Sequence, residues 1–319
     1  MTQSTPRFYY KGSRLKQLRA FCHAARLGSV TRASEALFLS QPAVSLQLGA
    51  LESELNVRLF ERHGRRLNLT AEGQLLYDMA RPLVDGLDAL DGDFRSRVKG
   101  LEGGELNIAA GSSTILYLLP ALVAEFRRKH PDIQLKLHSV SGNEGLQKVR
   151  ADEVDLAVGS MLDSPSDIDY APLYNFDQLL VMPLDHPLAK KPAVALEDLS
   201  PYGLILPPGR VTTYRLIDRV FQQRKVPYNV ALEVDGWEVI KQYVIMGLGI
   251  SIITALCITR ADRERLAIHN LRDYFPQRSY GVVVRKGKHL SPAARAFIDQ
   301  IKPSVFTRSG YDDSGHSER

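Results

Sequence analysis

Between Leu15 and Leu27, apolar residues recur at Leu15, Leu18, Phe21, Cys22 and Ala25, the spacing of a helix buried along one stripe. Gly28 ends that run, and Ser29 is placed to cap a second helix over about Val30 to Leu37. After Phe38 and Leu39, Ser40 can cap a third helix that carries Pro42 in its first turn and apolar positions at Val44, Leu48, Leu51 and Leu55. Two short helices joined by a tight turn, the second opening on polar residues, form a helix-turn-helix pattern. Arg58 to Thr70 has apolar ends around a centre of glycine and arginines. It predicts a short hairpin with a basic tip, a wing.

Downstream, Leu76, Ala80, Leu83, Leu87, Leu90 and Phe94 are spaced alternately by four and three, with Asp78, Arg81, Asp85, Asp88 and Asp91 pointing outward. So narrow a seam predicts a long helix that pairs with a second copy of itself, through Leu76, Leu83, Leu87 and Leu90. The other reading packs it on its own domain. Pro82 lies inside the seam and is expected to kink the helix or shift its register. Beyond Gly100 to Gly104, short apolar strands alternate with amphipathic helices from Glu105 to a strand at Val154 to Gly159 and again from Gln178 to Ile253, which predicts βαβ units and a largely parallel sheet. A late strand over Tyr280 to Arg285 and a helix over Ser291 to Ile301 close the pattern. The expected organisation is an N-terminal arm (1–14), a winged helix-turn-helix (15–70, its two helices within about 30–49), a linker and dimerisation helix (71–99), an α/β domain (100–303) and a disordered tail (304–319).

Charge sharpens this division. The 319 residues carry 41 Lys and Arg against 36 Asp and Glu, a net of only +5. Residues 1–73 alone hold 11 basic and 5 acidic side chains, so the remainder is close to neutral. An excess confined to the first quarter suits a polyanion-binding module joined to a neutral partner domain. No apolar run is long enough to span a bilayer, and the first fourteen residues lack an apolar signal core, so a cytoplasmic location without membrane attachment is expected. Cys22 and Cys257 are too few for a disulfide framework and lack metal-ligand spacing. Gly247-Leu248-Gly249 has no third glycine in dinucleotide register, and phosphate-loop, GxSxG and HExxH motifs are absent. The sequence therefore predicts no catalytic residue, no metal and no cofactor.

The runs Leu18-Arg19-Ala20-Phe21, Gly28 to Ser34, Ser40 to Gln47, Leu51 to Arg62 and Leu69-Thr70-Ala71-Glu72-Gly73 together resemble LysR-type transcriptional regulators, in one register over about sixty residues. Ser112 to Thr114, Leu119-Pro120 and Val239 to Gly249 look most like the branch that senses sulfur metabolites. The resemblance implies a C-terminal two-lobed, periplasmic-binding-protein-like α/β domain with a ligand cleft, and an assembly of two or four copies. It also implies that the third helix enters the major groove of double-stranded DNA.

Gln41 and Gln47 could then pair with base edges, Ser45 offers a hydroxyl, and Ser40, Pro42 and Ala43 lie in the same turn. Arg32, and Arg62, Arg65 and Arg66 of the wing, suit phosphates. Leu46 and Gly49 depart from the family by lacking a long polar side chain. No Lys or Arg stands between Gln41 and Glu54. In the second domain, Ser112, Ser113 and Thr114 precede a helix expected from Ile115, where hydroxyls and unpaired amides suit a small anionic effector, a carboxylate for example. Ser160 and Thr212 could face the same cleft, whereas Arg210 reads as an exposed loop residue and Trp237 as packing. A solute-binding receptor or transport component with the same cleft is the alternative, as is an enzyme with an accessory DNA-binding unit.

Overall fold

The computed structural model describes residues 14–63, 66–99, 103–161, 164–303 and 305–306. Most of the expected arm, Arg65 at the wing tip, residues 100–102 and most of the expected tail lie outside these. The chain divides into two compact units, residues 1–98 with 287–291, and the rest.

In the first unit, α1 (Arg14–Leu27), α2 (Val30–Ala36) and α3 (Gln41–Leu55) precede a hairpin of β1 (Phe60–His63) and β2 (Arg66–Leu69), then α4 (Ala71–Lys99). The caps work as the sequence implies: the Ser29 hydroxyl accepts from Arg32 N and the Ser40 hydroxyl from Ala43 N, each at 3.3 Å. Gly28 ends α1 at φ +59, a backbone region that suits glycine. The stripe of α1 differs from expectation. Gln17, Ala20, Phe21, Cys22 and Ala24 are buried, while Leu15, Leu18 and Ala25 are only half-buried. Gln17 can be buried because its Nε2 donates to Glu54 Oε1 at 2.7 Å. Burial pushes the Cys22 thiol up to about 12, which keeps it a neutral core group.

The wing is fastened at its base. Glu52 Oε1 accepts from Leu59 N at 2.7 Å and Phe60 N at 3.3 Å. Thr70 donates to Arg58 O at 2.7 Å and accepts from Gly73 N at 2.9 Å, which joins the wing to the first turn of α4. Glycine is required at position 73, since a Cβ there would stand 2.0 Å from Leu59 O. By contrast, Phe38 occupies the left-handed region at φ +54 while 96% exposed. A large side chain gains nothing there to offset that backbone. Phe38→Asn is expected to raise the stability of this unit by about 1 kcal/mol in thermal denaturation. A lower midpoint would mean that the ring has a packing role.

Helix α4 runs unbroken through Pro82 and carries two apolar faces. Ala80 and Val84 are buried in the core of the first unit, and Leu76 and Tyr77 pack against it. Leu75, Met79, Leu83, Leu87, Leu90 and Phe94 are all exposed, from 47% at Leu87 to 65% at Met79 and Phe94. The expected seam is therefore corrected. Leu76 serves its own core, because α4 must cover α1 before it can offer a face elsewhere, and Leu75 and Met79 take its place on the open stripe.

The second unit has two lobes. In the first, β3 (Gly104–Ala110), β4 (Ile133–Ser139), β5 (Leu156–Ser160), β6 (Ile168–Phe176) and β12 (Arg278–Arg285) form a sheet ordered β4-β3-β5-β12-β6. Here β12 returns antiparallel between β5 and β6. Helices α5 (Leu119–Lys129), α6 (Gly142–Arg150) and α10 (Pro292–Ile301) belong to this lobe. The second lobe pairs β7 (Gln178–Pro183) antiparallel with β10 (Ser251–Thr254) and β11 (Leu266–Asn270). Strands β8 (Gly203–Leu206) and β9 (Asn229–Glu233) are parallel, and Leu204 bridges to Ile250. Its helices are α7 (Thr212–Arg224), α8 (Trp237–Ile245) and the short α9 (Arg260–Arg263). The sheets are thus mixed rather than largely parallel. The chain crosses from one lobe to the other between β6 and β7 and returns into β12, and a returning strand enters antiparallel.

Candidate nucleic-acid interface and effector cleft

On α3, Val44, Leu48 and Leu51 are buried on one side. Pro42, Ser45, Leu46 and Gly49 are exposed away from that side, Gln41 is exposed in the first turn, Ala43 and Gln47 are half-buried, and Ser40 is exposed at the cap. At 100° per residue Gln41 and Gln47 fall on the two flanks of this open face, not in it. Leu46, 71% exposed, and Gly49 stand within it. Arg32 is exposed, and its guanidinium donates to the Leu27 carbonyl, which ties α2 to the end of α1. In the wing, Arg62 pairs with Leu67 and His63 with Arg66 in the β1–β2 ladder. Arg65 lies outside the described residues.

The second constellation forms where strands of both lobes end. Ala110 on β3 lies opposite Val158 on β5, and Ser160 at the end of β5 lies opposite Tyr280 on β12. These ends form the edge at which open α/β sheets bind ligands. The helix after β3 starts at Ser112 rather than Ile115, and its Thr114–Leu118 stretch is a π-turn that leads directly into α5. Ile115 N bonds back to Gly111 O at 3.0 Å, so the amides of Ser112, Ser113 and Thr114 have no acceptor within the helix. Ser112 is exposed, Ser113 is half-buried with no capping bond of its own, and Thr114 is buried.

Facing this turn's sheet edge is a group the sequence reading missed. Arg278, at the start of β12, is only 7% exposed. Its guanidinium donates to Thr213 of the opposite lobe and, at 3.4 Å, to the Ser160 hydroxyl, and it lies 5.6 Å from the centre of the Tyr280 ring. These partners are hydroxyls and a ring, not carboxylates. Thr213 is buried, and Thr212 beside it is half-buried. Nearby in sequence to the β6 end of the sheet, Gln178 is fully buried. Its Oε1 accepts from Thr254 at 3.2 Å and its Nε2 has no hydrogen-bond partner. Arg210 pairs with Asp235 in the open, and Trp237 packs against a core cluster, as expected of each.

The π-turn also carries Tyr117 onto the second lobe. Its hydroxyl donates to Glu238 on α8, and its ring lies 5.3 Å from the Lys241 ammonium. Lys241 is 1% exposed and donates to Asp262 Oδ2 at 2.7 Å and Cys257 O at 3.0 Å, with Glu238 Oε1 at 2.8 Å. Burial and the bond to Glu238 both push the Tyr117 hydroxyl above its usual range. Burial alone would raise Asp262. The hydrogen bonds from Lys241 and Thr259 outweigh it and hold the carboxyl below its usual range.

No helix among the described residues is long and apolar enough to cross a membrane. Residues 15–74 match the bacterial regulatory helix-turn-helix protein, lysR family, and residues 99–305 match the LysR substrate binding domain. The RuBisCO operon transcriptional regulator of Allochromatium vinosum is 32% identical, over 90% of this chain and 95% of its own. The HTH-type transcriptional regulator CysB of Burkholderia cenocepacia is 28% identical, over 91% and 94%. These two relatives match at similar length and identity, and the comparison singles out neither. Full-length OxyR from Pseudomonas aeruginosa shares the fold at a TM-score of 0.62 and 23% identity, over 90% of this chain and 94% of that one. Regulators of this kind bind DNA and small-molecule effectors and form oligomers. With a winged helix-turn-helix followed by an effector-binding domain, both matched by the family's own models, this chain belongs to the LysR family of DNA-binding transcriptional regulators.

Proposed function

We propose that the regulator's effector is a small anion held between the two α/β lobes, and that Arg278 is the observation that carries this reading. A guanidinium taken almost wholly out of water is costly unless a negative charge compensates it. Hydroxyls from both lobes orient it without neutralising it. The amides of Ser112, Ser113 and Thr114 add a helix-start dipole of the right sign, Ser160 and Thr212 line the approach, and the open Gln178 amide supplies a further donor. A carboxylate or phosphorylated acid fits such a donor set, since every group in it donates or can donate.

In the same reading, Gln41, Pro42 and Ser45, with Ser40 and Ala43 in the first turn, serve to read base edges, and Arg32, Arg62, Arg65 and Arg66 serve to bind phosphates. Gln47 serves from the flank. The open stripe of α4 at Leu83, Leu87 and Leu90 joins two copies.

The test is thermal denaturation of the full chain with phosphate, sulfate and small carboxylic acids, against uncharged analogues at equal ionic strength. Anions are expected to raise the midpoint and uncharged analogues to leave it unmoved. Arg278→Gln is expected to weaken the response by one to two decades in concentration, about the worth of one or two charge-assisted hydrogen bonds. Stabilisation by an uncharged compound that survives Arg278→Gln overturns the reading.

A further inference from the structure

We infer that Leu46 reads a thymine methyl group, and so makes the DNA target of this chain depend on thymine at one fixed position of each half-site. The inference rests on the reading that α3 lies in the major groove. The open face of α3 presents a pyrrolidine ring at Pro42, a hydroxyl at Ser45 and the isobutyl group of Leu46, which is 71% exposed, and the amide of Gln41 stands exposed beside it in the first turn. The opposite side, with Val44, Leu48 and Leu51, fills the core, so the helix cannot rotate to bury Leu46 without emptying that core.

An exposed leucine on a surface that water leaves on complex formation needs an apolar counterpart. In the major groove the base edges offer one such group, the C5 methyl of thymine; the other edges present nitrogens, oxygens and amino groups. Gly49 stands one turn further on, and nothing lies within 4 Å of where its Cβ would be. The space beside Leu46 is therefore open to a close approach of the groove floor. The same face holds no Lys or Arg, so the paired donors that most often select guanine are missing from it. Its chemistry favours adenine through Gln41 and thymine through Leu46.

Sites bound by the full-length chain are first selected from a random-sequence duplex library. Each thymine of a selected site is then replaced singly by deoxyuridine, which differs only in the missing methyl. One position per half-site is expected to weaken binding about four-fold, the effect of one methyl group left in water. That penalty is expected to vanish in Leu46→Ala and to persist in Gln41→Ala. Leu46→Ala is also expected to select a site with relaxed preference at that position alone, while its melting temperature and sedimentation stay as in the parent chain. A uracil scan with no penalty, or one equally large in Leu46→Ala, overturns the inference and leaves groove reading by Gln41 and Ser45 standing. Selected sites unchanged by Gln41→Ala and Ser45→Ala would instead remove α3 from the groove altogether. A change in sedimentation on Leu46→Ala would assign the side chain to a protein contact, and the inference would fall.

Discussion

Leu87→Asp is expected to separate the oligomer into single chains at micromolar concentration. Leu87 lies midway along the exposed stripe of α4, between Leu83 and Leu90, with Leu75 and Met79 on one side and Phe94 on the other. Paired with a second copy, the stripe removes a continuous apolar strip from water, and each fully buried leucine contributes about 2 kcal/mol. The substitution acts twice in a symmetric pair. It deletes two such contributions and places two carboxylates in a dry seam, where they repel each other and lose hydration. A loss on the order of 5 kcal/mol raises the dissociation constant by three to four decades. Sedimentation velocity reads this directly, and an unchanged species would mean that the stripe is covered by something other than a second copy. Leu76→Ala provides the contrast. Leu76 packs against the core of its own unit, so its truncation is expected to lower the melting temperature and leave association intact.

That contrast shows where the sequence was legible. Periodicity placed a long helix over 71–99 and found most of its apolar residues, because a 3.6-residue period survives in the letters. It could not divide those residues between two faces. Leu75 and Leu76 are 100° apart and chemically identical, and only the position of α1 decides which one is covered. The caps at Ser29 and Ser40 and the wing were legible because each depends on local chemistry. Strands β6, β9 and β11 were not. Pro172 interrupts β6, β9 is mostly exposed, and β11 is short and mixed, so none shows a clean apolar alternation.

The proposed effector cleft was half visible. Hydroxyls at Ser112 to Thr114 and at Ser160 stand at strand ends that the pattern located. Arg278 stood two residues before the strand as read from sequence. Yet it shares a face with Tyr280, Val282 and Val284, and a cation in phase with buried residues was the available signal. Thr213 rather than Thr212 meets it, a distinction set by the helical phase of α7, in which Thr213 turns inward with Leu216, Ile217 and Val220.

Lys241→Met is expected to lower the stability of the second unit by about 3–5 kcal/mol, the usual cost of removing one partner from a buried ion pair. The lysine is 1% exposed on α8 and binds Asp262, Glu238 and the Cys257 carbonyl at once. Methionine matches the stem in shape, so little cavity forms and the loss is electrostatic. Asp262, only 13% exposed at its side chain, is left with the short reach of Thr259 as its remaining support. For a domain of this size the change corresponds to a fall of about 10 °C in melting temperature. Its pH dependence follows from the direction of the Asp262 shift. A carboxyl held below its unfolded value contributes stability that is present above that value, near pH 4, and is lost as the pH falls through the lower folded value. The gap between the parent chain and Lys241→Met should therefore be widest near neutrality, narrow as the pH falls through about 4, and close only below the parent's lowered value, where Asp262 is protonated in both. Adding Asp262→Asn to Lys241→Met removes the stranded charge and is expected to recover part of the loss. The same lysine lies under the Tyr117 ring, and Tyr117 belongs to the π-turn that begins at Thr114. If the proposed anion site is right, anion-induced stabilisation should weaken in Lys241→Met even where the fold is intact, since the helix proposed to offer its amides is no longer braced from below. A loss under 1 kcal/mol that is constant from pH 4 to 8 would show that the cluster contributes no net stability and that the turn is held by its own lobe.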